Sequence, residues 1–185
     1  MEFLRLFKRC RFPCAKTRYQ PYAEESHAHF QKKRHAMIDP TPDAGPLPHW
    51  AARLGYAGLL PFVILAVATW MAPPAYRLQA GHALMAYGAT IASFLGAIHW
   101  GLAMREPGTP QPGPFVWGVF PSLLAWALLL LPLSQGLVAL ALLLGVCLVV
   151  DWLSYPAYGL MQWLPMRMHL TLVAGVCLLA GGAAA

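Results

Sequence analysis

Residues 135–154 read QGLVALALLLGVCLVVDWLS, twenty positions carrying a single charged side chain, Asp151. At about 1.5 Å of rise per residue, a helix of that length covers the roughly 30 Å of a bilayer's hydrocarbon core. Only a helix or a closed barrel satisfies its own backbone there, and a leucine- and valine-rich run without polar alternation is helical in reading. Four further stretches of the same kind lie around it, at about 51–71, 80–104, 115–131 and 167–183. From Trp50 to Ala185 there are six Asp, Glu, Lys or Arg residues: Arg53, Arg77, Arg105, Glu106, Asp151 and Arg167. The expected fold is therefore all-α, a polytopic integral membrane helical bundle with about five transmembrane helices.

Composition agrees. Hydrophobic residues make up 58% of the chain and charged residues 11%, whereas soluble domains carry about 25% charged residues. The net charge of +6 is concentrated at the start, where residues 1–49 hold nine Lys or Arg against five acids. The sequence thus divides into a basic, Pro-containing tail (1–49), expected to be disordered, and a transmembrane domain (50–185). A basic tail beside an apolar block fits a cytoplasmic segment near anionic lipid; no folded motif points to nucleic acid. The segment MEFLRLFKRCRF is readable as a short surface helix or as a transit-like leader, and Met37 as an alternative start. No apolar h-region of a cleavable signal peptide occurs in the first 36 residues. Cys10 and Cys14 form a C-x3-C pair without a second pair, so no metal site is expected. Cys147 and Cys177 read as small core residues.

Prolines punctuate the spans. Pro61 is expected to kink the first in its middle, Pro121 lies inside the third, and Pro132 and Pro156 close the third and fourth. Ala157 to Leu164 reads as a half-embedded connector. Trp70, Trp100, Trp117, Trp152 and Trp163 read as interfacial anchors, and Trp126 as a deeper core residue. Excess Lys and Arg mark cytoplasmic ends. With the tail inside, Arg53, Arg105 and Arg167 fall on that side and Arg77 outside, which sets the N-terminus in the cytoplasm and the C-terminus outside.

The second span carries the clearest packing signal. On a helical wheel of about 100° per residue, Gly88, Ala89, Ala92, Ser93, Gly96 and Ala97 form an arc of small side chains. Such an arc lets helix backbones approach closely in lipid. His99 falls at its edge and should point into the bundle.

Five segments carry a resemblance: LGYAGLLPF (54–62), SFLGAIHWG (93–101), PSLLAW (121–126), Asp151 with Tyr155-Pro156, and MRMHLT (166–171). Over about residues 50–180 the chain resembles the transmembrane-protein-69-like family of small bacterial inner-membrane and mitochondrial proteins, classed as a domain of unknown function. The resemblance implies about five spans and a membrane location. It implies no activity.

Ionisable groups inside a membrane are costly and raise a functional question. His99 stands about five residues, or roughly 8 Å of helix rise, from the inner end of its span. Asp151 lies near the inner end of the fourth, and Arg167 and His169 open the fifth, all at one depth. As a structural cluster, Asp151 pairs with Arg167 to fasten the last hairpin while His99 bonds a neighbour. Alternatively the cluster lines a polar cavity for a proton or solute, or His99 and His169 hold a haem. The structural reading leads, with no cofactor. No P-loop, H-E-x-x-H or G-x-S-x-G signature is present, and Ser93, Ser122 and Ser154 sit in no nucleophile motif, so no enzyme is expected. The expected role is a non-enzymatic assembly, scaffold or accessory component of the bacterial inner membrane (alternatively the mitochondrial inner membrane). Its expected partners are the lipid bilayer and other membrane proteins or further copies of itself, and the alternative role is a small proton-coupled or solute transporter. A reporter fused after Ala185 should report an external location and one at Gly108 a cytoplasmic one; a cytoplasmic C-terminus would overturn the five-span count.

Overall fold

The computed structural model describes residues 48–105 and 112–185. The expectations for the tail, for Cys10 and Cys14 and for Met37 lie outside these residues. Six α-helices run through the described chain without a strand: α1 (His49–Ala57), α2 (Leu60–Met71), α3 (Pro74–Arg105), α4 (Pro112–Leu128), α5 (Leu133–Ser154) and α6 (Leu164–Ala184). Four segments are long and apolar enough to cross a membrane: His49–Met71, Pro74–Arg105, Leu133–Tyr158 and Met161–Ala184. The shorter α4, at 17 residues, is apolar as well.

Pro61 interrupts the first span, His49–Met71, near its middle. The chain breaks one turn earlier, at Gly58-Leu59, and Pro61 falls in the first turn of α2, where its missing N–H costs little. An unbroken helix would leave a carbonyl opposite Pro61 without its donor. The Leu59 N–H closes back on Tyr56 O at 3.0 Å, and the Tyr87 hydroxyl of α3 donates to Gly58 O at 2.8 Å. Phe62, buried edge-on against Tyr87 at 4.8 Å, fixes the joint.

The second helix starts earlier than its hydropathy indicates, at Pro74 rather than near residue 80. Pro74 supplies a pre-set first position, and Arg77 Nε donates to Ala72 O at 2.8 Å, so the polar lead-in winds as helix. At 32 residues, α3 is about 48 Å long and exceeds the hydrocarbon core. The third ends at Leu128 rather than 131, because residues 129–131 tighten into three-residue bonds such as Leu131 N–H to Leu128 O, 3.2 Å, ahead of Pro132. The connector after α5 is two 3₁₀ turns, Tyr155–Tyr158 and Met161–Trp163. They are joined by Gly159 at φ 67°, a left-handed conformation that glycine adopts without steric cost.

Helix α3 packs against α2, α4, α5 and α6, while α5 lies along α6 and α2 closes on α6. Leu84, Leu137, Leu140, Leu144 and Leu178 form the fully buried centre. Small residues set the spacing. A Cβ on Gly96 would stand 2.5 Å from Gly118 O, one on Gly181 2.5 Å from Leu84 Cδ2, and one on Gly118 would enter the Trp100 indole. Of the predicted arc, Gly88, Ala89, Ala92 and Gly96 are buried, Ser93 is half-buried and Ala97 is exposed. Ala97 sits about 100° round the wheel from Gly96, beyond the contact, and the buried face extends instead through Leu84, Met85 and Leu95.

Two tryptophans differ from their expected places, and a third gains a bond the sequence did not indicate. Trp126 is 64% exposed on the outer face rather than in the core. Trp117 is buried rather than interfacial. Trp100 is exposed, and its Nε1 donates to Phe115 O at 2.7 Å, fastening α3 to α4. Hydropathy ranks all three alike, and only the helix face distinguishes them. We expect Gly96→Ala and Gly118→Ala each to cost about 1–3 kcal/mol, read as a lower unfolding temperature in detergent. Gly101→Ala, whose Cβ would meet nothing within 4 Å, should be neutral or slightly stabilising.

Candidate functional site

At one end of the bundle three helices contribute polar side chains to an apolar interior. Asp151 and Ser154, one helical turn apart, share a face at the end of α5; Arg167 lies in the first turns of α6; His99 comes from α3. The nine-residue connector reverses the chain so that Arg167 returns opposite Asp151. Arg167 Nε and Nη2 both donate to Asp151 Oδ2, at 2.9 and 2.5 Å. Asp151 is 1% exposed, Arg167 8% and His99 3%. Charges so far from water persist only when paired, and a guanidinium fork is the side chain best shaped for that pairing.

The other carboxylate oxygen, Oδ1, faces His99 Nε2 at 3.6 Å, an ion-pair distance rather than a hydrogen bond. The hydrogen-bond partner of Nε2 is Ser154 Oγ, 3.1 Å away. Ser154 itself donates to Val150 O at 2.8 Å. The two nitrogens bond differently by tautomer: with its proton on Nε2 the ring donates to Ser154 Oγ, and with its proton on Nδ1 it donates to Leu95 O, 3.4 Å away, and accepts from Ser154. Buried Trp117 stands edge-on to the imidazole at 6.4 Å, and Tyr155 lies at the same distance on another side. The arrangement holds a charge pair and an oriented imidazole behind aromatic walls.

Of the four residues expected to form the cluster, the structure brings His99, Asp151 and Arg167 together. His169 stands apart. It is exposed, with Nδ1 3.4 Å from the Tyr56 hydroxyl, because a position two residues from Arg167 points about 200° round the helix. His99 and His169 are therefore not brought to a common space, and among the described residues no group of three or more His, Cys, Asp or Glu could hold a metal ion. His82 is exposed and bonds Leu78 O at 2.9 Å. Ser154, Trp117 and Tyr155 complete the site without a motif to announce them. The usable signal for Ser154 was its spacing of three from Asp151.

These features define a multi-span helical membrane protein with a buried ion pair and histidine at one end of its bundle. The chain belongs to the family described as "Protein of unknown function (DUF3429)", which matches residues 47–183. It is 36% identical to Transmembrane protein 69 of Xenopus tropicalis over 132 residues, covering 69% of this chain and 51% of that protein. The corresponding protein of Mus musculus is 33% identical over 135 residues, covering 69% and 53%. The chain thus spans about half the length of these curated relatives. No solved structure matches it.

Asp151→Asn and Arg167→Gln should each destabilise the protein by about 3–5 kcal/mol, the cost of leaving one buried charge unpaired. Thermal unfolding in detergent should show the double variant losing less than the sum of the two, and strict additivity would rule out the pair as an energetic unit.

Proposed function

We propose that this protein is a non-enzymatic component of the bacterial inner membrane, an assembly, scaffold or accessory subunit that works through contacts of its helices. The observation that carries this reading is the closure of the polar cluster. Asp151 is engaged by Arg167, His99 by Ser154, and Ser154 by Val150 O. Trp117 and Tyr155 cover the His99 side of the group. Groups committed to one another in this way fasten helices rather than receive a solute. The outer surface fits the same role, since Val116, Leu123, Trp126 and Leu130 lie exposed on and just after α4, an apolar face open to lipid or to another helix. The N-terminus is placed in the cytoplasm and the C-terminus outside, on the grouping of Arg53, Arg105 and Arg167 at one end.

A second reading, a small proton-coupled carrier, draws on one observation: His99 and Asp151 lie 3.6 Å apart, within range to exchange a proton through modest movement. The two readings separate in liposomes loaded with a pH-sensitive dye. A scaffold gives proton flux no greater than empty vesicles, and His99→Gln lowers the unfolding temperature modestly, since glutamine both donates and accepts. Flux that depends on the protein and disappears in a stably folded His99→Gln variant would replace the scaffold reading with the carrier.

A further inference from the structure

Beside Arg167, helices α1, α2, α3, α5 and α6 leave a cavity of about 180 Å³. Its wall is largely apolar, with Gly55, Phe62, Phe94 and Leu170 among its residues, and two polar side chains, Arg167 and Thr171, lie one helical turn apart on α6. Leu54 and Phe94 line it while being well exposed, so it opens on the outer apolar surface and is reached from lipid. Thr171 is only 9% exposed, and among the described residues its hydroxyl makes no hydrogen bond. A hydroxyl so placed costs free energy unless something accepts from it. Helical threonines ordinarily turn back on their own carbonyls; Thr171 makes no such bond and lines the cavity.

We propose that the cavity is a binding site for a lipid-soluble ring compound bearing a neutral carbonyl, of the quinone class. Size, polarity and charge each narrow the choice. An engineered apolar cavity of about 150 Å³ takes up benzene, so a substituted six-membered ring fits this one while its tail leaves through the lipid-facing mouth. The ring carbonyl takes the Thr171 hydroxyl, with Arg167 as a neighbouring donor. The charge of Arg167 is already matched by Asp151, and a carboxylate or phosphate would add a second, unmatched anion to a low-dielectric site. A bare acyl chain would leave the Thr171 hydroxyl without an acceptor. A neutral carbonyl meets every requirement.

The test uses the full-length chain purified in dodecyl maltoside and titrated with decylubiquinone, with decylbenzene and oleate as comparison probes, and reads the unfolding temperature against probe concentration. Decylubiquinone should raise it saturably and the other two should not. Thr171→Val, which keeps the shape and removes the hydroxyl, should weaken the apparent affinity about two- to tenfold, the worth of one hydrogen bond. Gly55→Leu, whose Cβ would lie 3.4 Å from Leu170 Cδ1, fills the space and should abolish the shift without touching a polar group. The proposal is overturned if decylubiquinone gives no saturable rise, or if Gly55→Leu retains it. An equal rise with decylbenzene or oleate would reassign the cavity to lipid chains and likewise overturn it.

Discussion

Hydrocarbon offers no hydrogen bonds, and this one constraint accounts for most of the specific polar contacts in the molecule. Several places where the chain departs from continuous helix, or carries a charge inward, are met by a side-chain partner. The Gly58 carbonyl, at the break before Pro61, receives the Tyr87 hydroxyl. The Ala72 carbonyl, where α2 ends, receives Arg77. The Ala180 carbonyl receives Trp70 Nε1 at 3.1 Å, tying the end of α2 to that of α6. Asp151 receives Arg167. These contacts are the joints of the bundle, because helix association in lipid lacks the hydrophobic drive of water and depends on packing and such bonds.

Packing supplies the remainder, and its geometry is set by where side chains are missing. Gly96 and Gly118 bring α3 and α4 together so closely that the Gly118 carbonyl occupies the space of a Gly96 Cβ. Trp100 then closes over Gly118 and spends its indole N–H on Phe115 O. The same close approach delivers Trp117 of α4 to the edge of His99. Thus the glycine contact and the polar site are linked. Without the first, the imidazole would lose an aromatic wall and be open to lipid headgroups or water.

The fold was legible in the sequence to the extent that hydropathy alone determines it. The number of apolar helices and their rough limits follow from run length, and the breaks follow from Pro61, Pro132 and Pro156. Hydropathy is blind to which face of a helix a residue occupies, and the misplacements have that cause: Trp126 lies outside, Trp117 inside, Ala97 off the contact. The early start of α3 escaped because its first turns are polar enough to read as loop, though Pro74 and Arg77 stabilise them as helix. At the site, the short connector made the nearness of Asp151 and Arg167 visible, and the wheel made the burial of His99 visible. His169 was grouped with them by depth alone, which says nothing about direction; two positions along a helix reverse it. The roles of Ser154 and Thr171 are set by contacts between helices distant in sequence, and no local pattern announces those.

The Asp151–Arg167 pair does something that apolar packing between α5 and α6 cannot. Leucine-rich faces slide against each other at little cost, since one turn further along, about 5.4 Å, a similar face appears. The ion pair admits no such slip. A shift of one turn would carry the guanidinium out of reach of Oδ2 and leave two charges unpaired at a place where each is several kcal/mol more costly than in water. The pair therefore fixes the register of the last hairpin. That register in turn places Ser154 under His99 and turns Arg167 and Thr171 toward the cavity beside α1 and α2. A site made of groups from α3, α5 and α6 needs those helices at one relative height, and the buried charge pair is what makes every other height expensive.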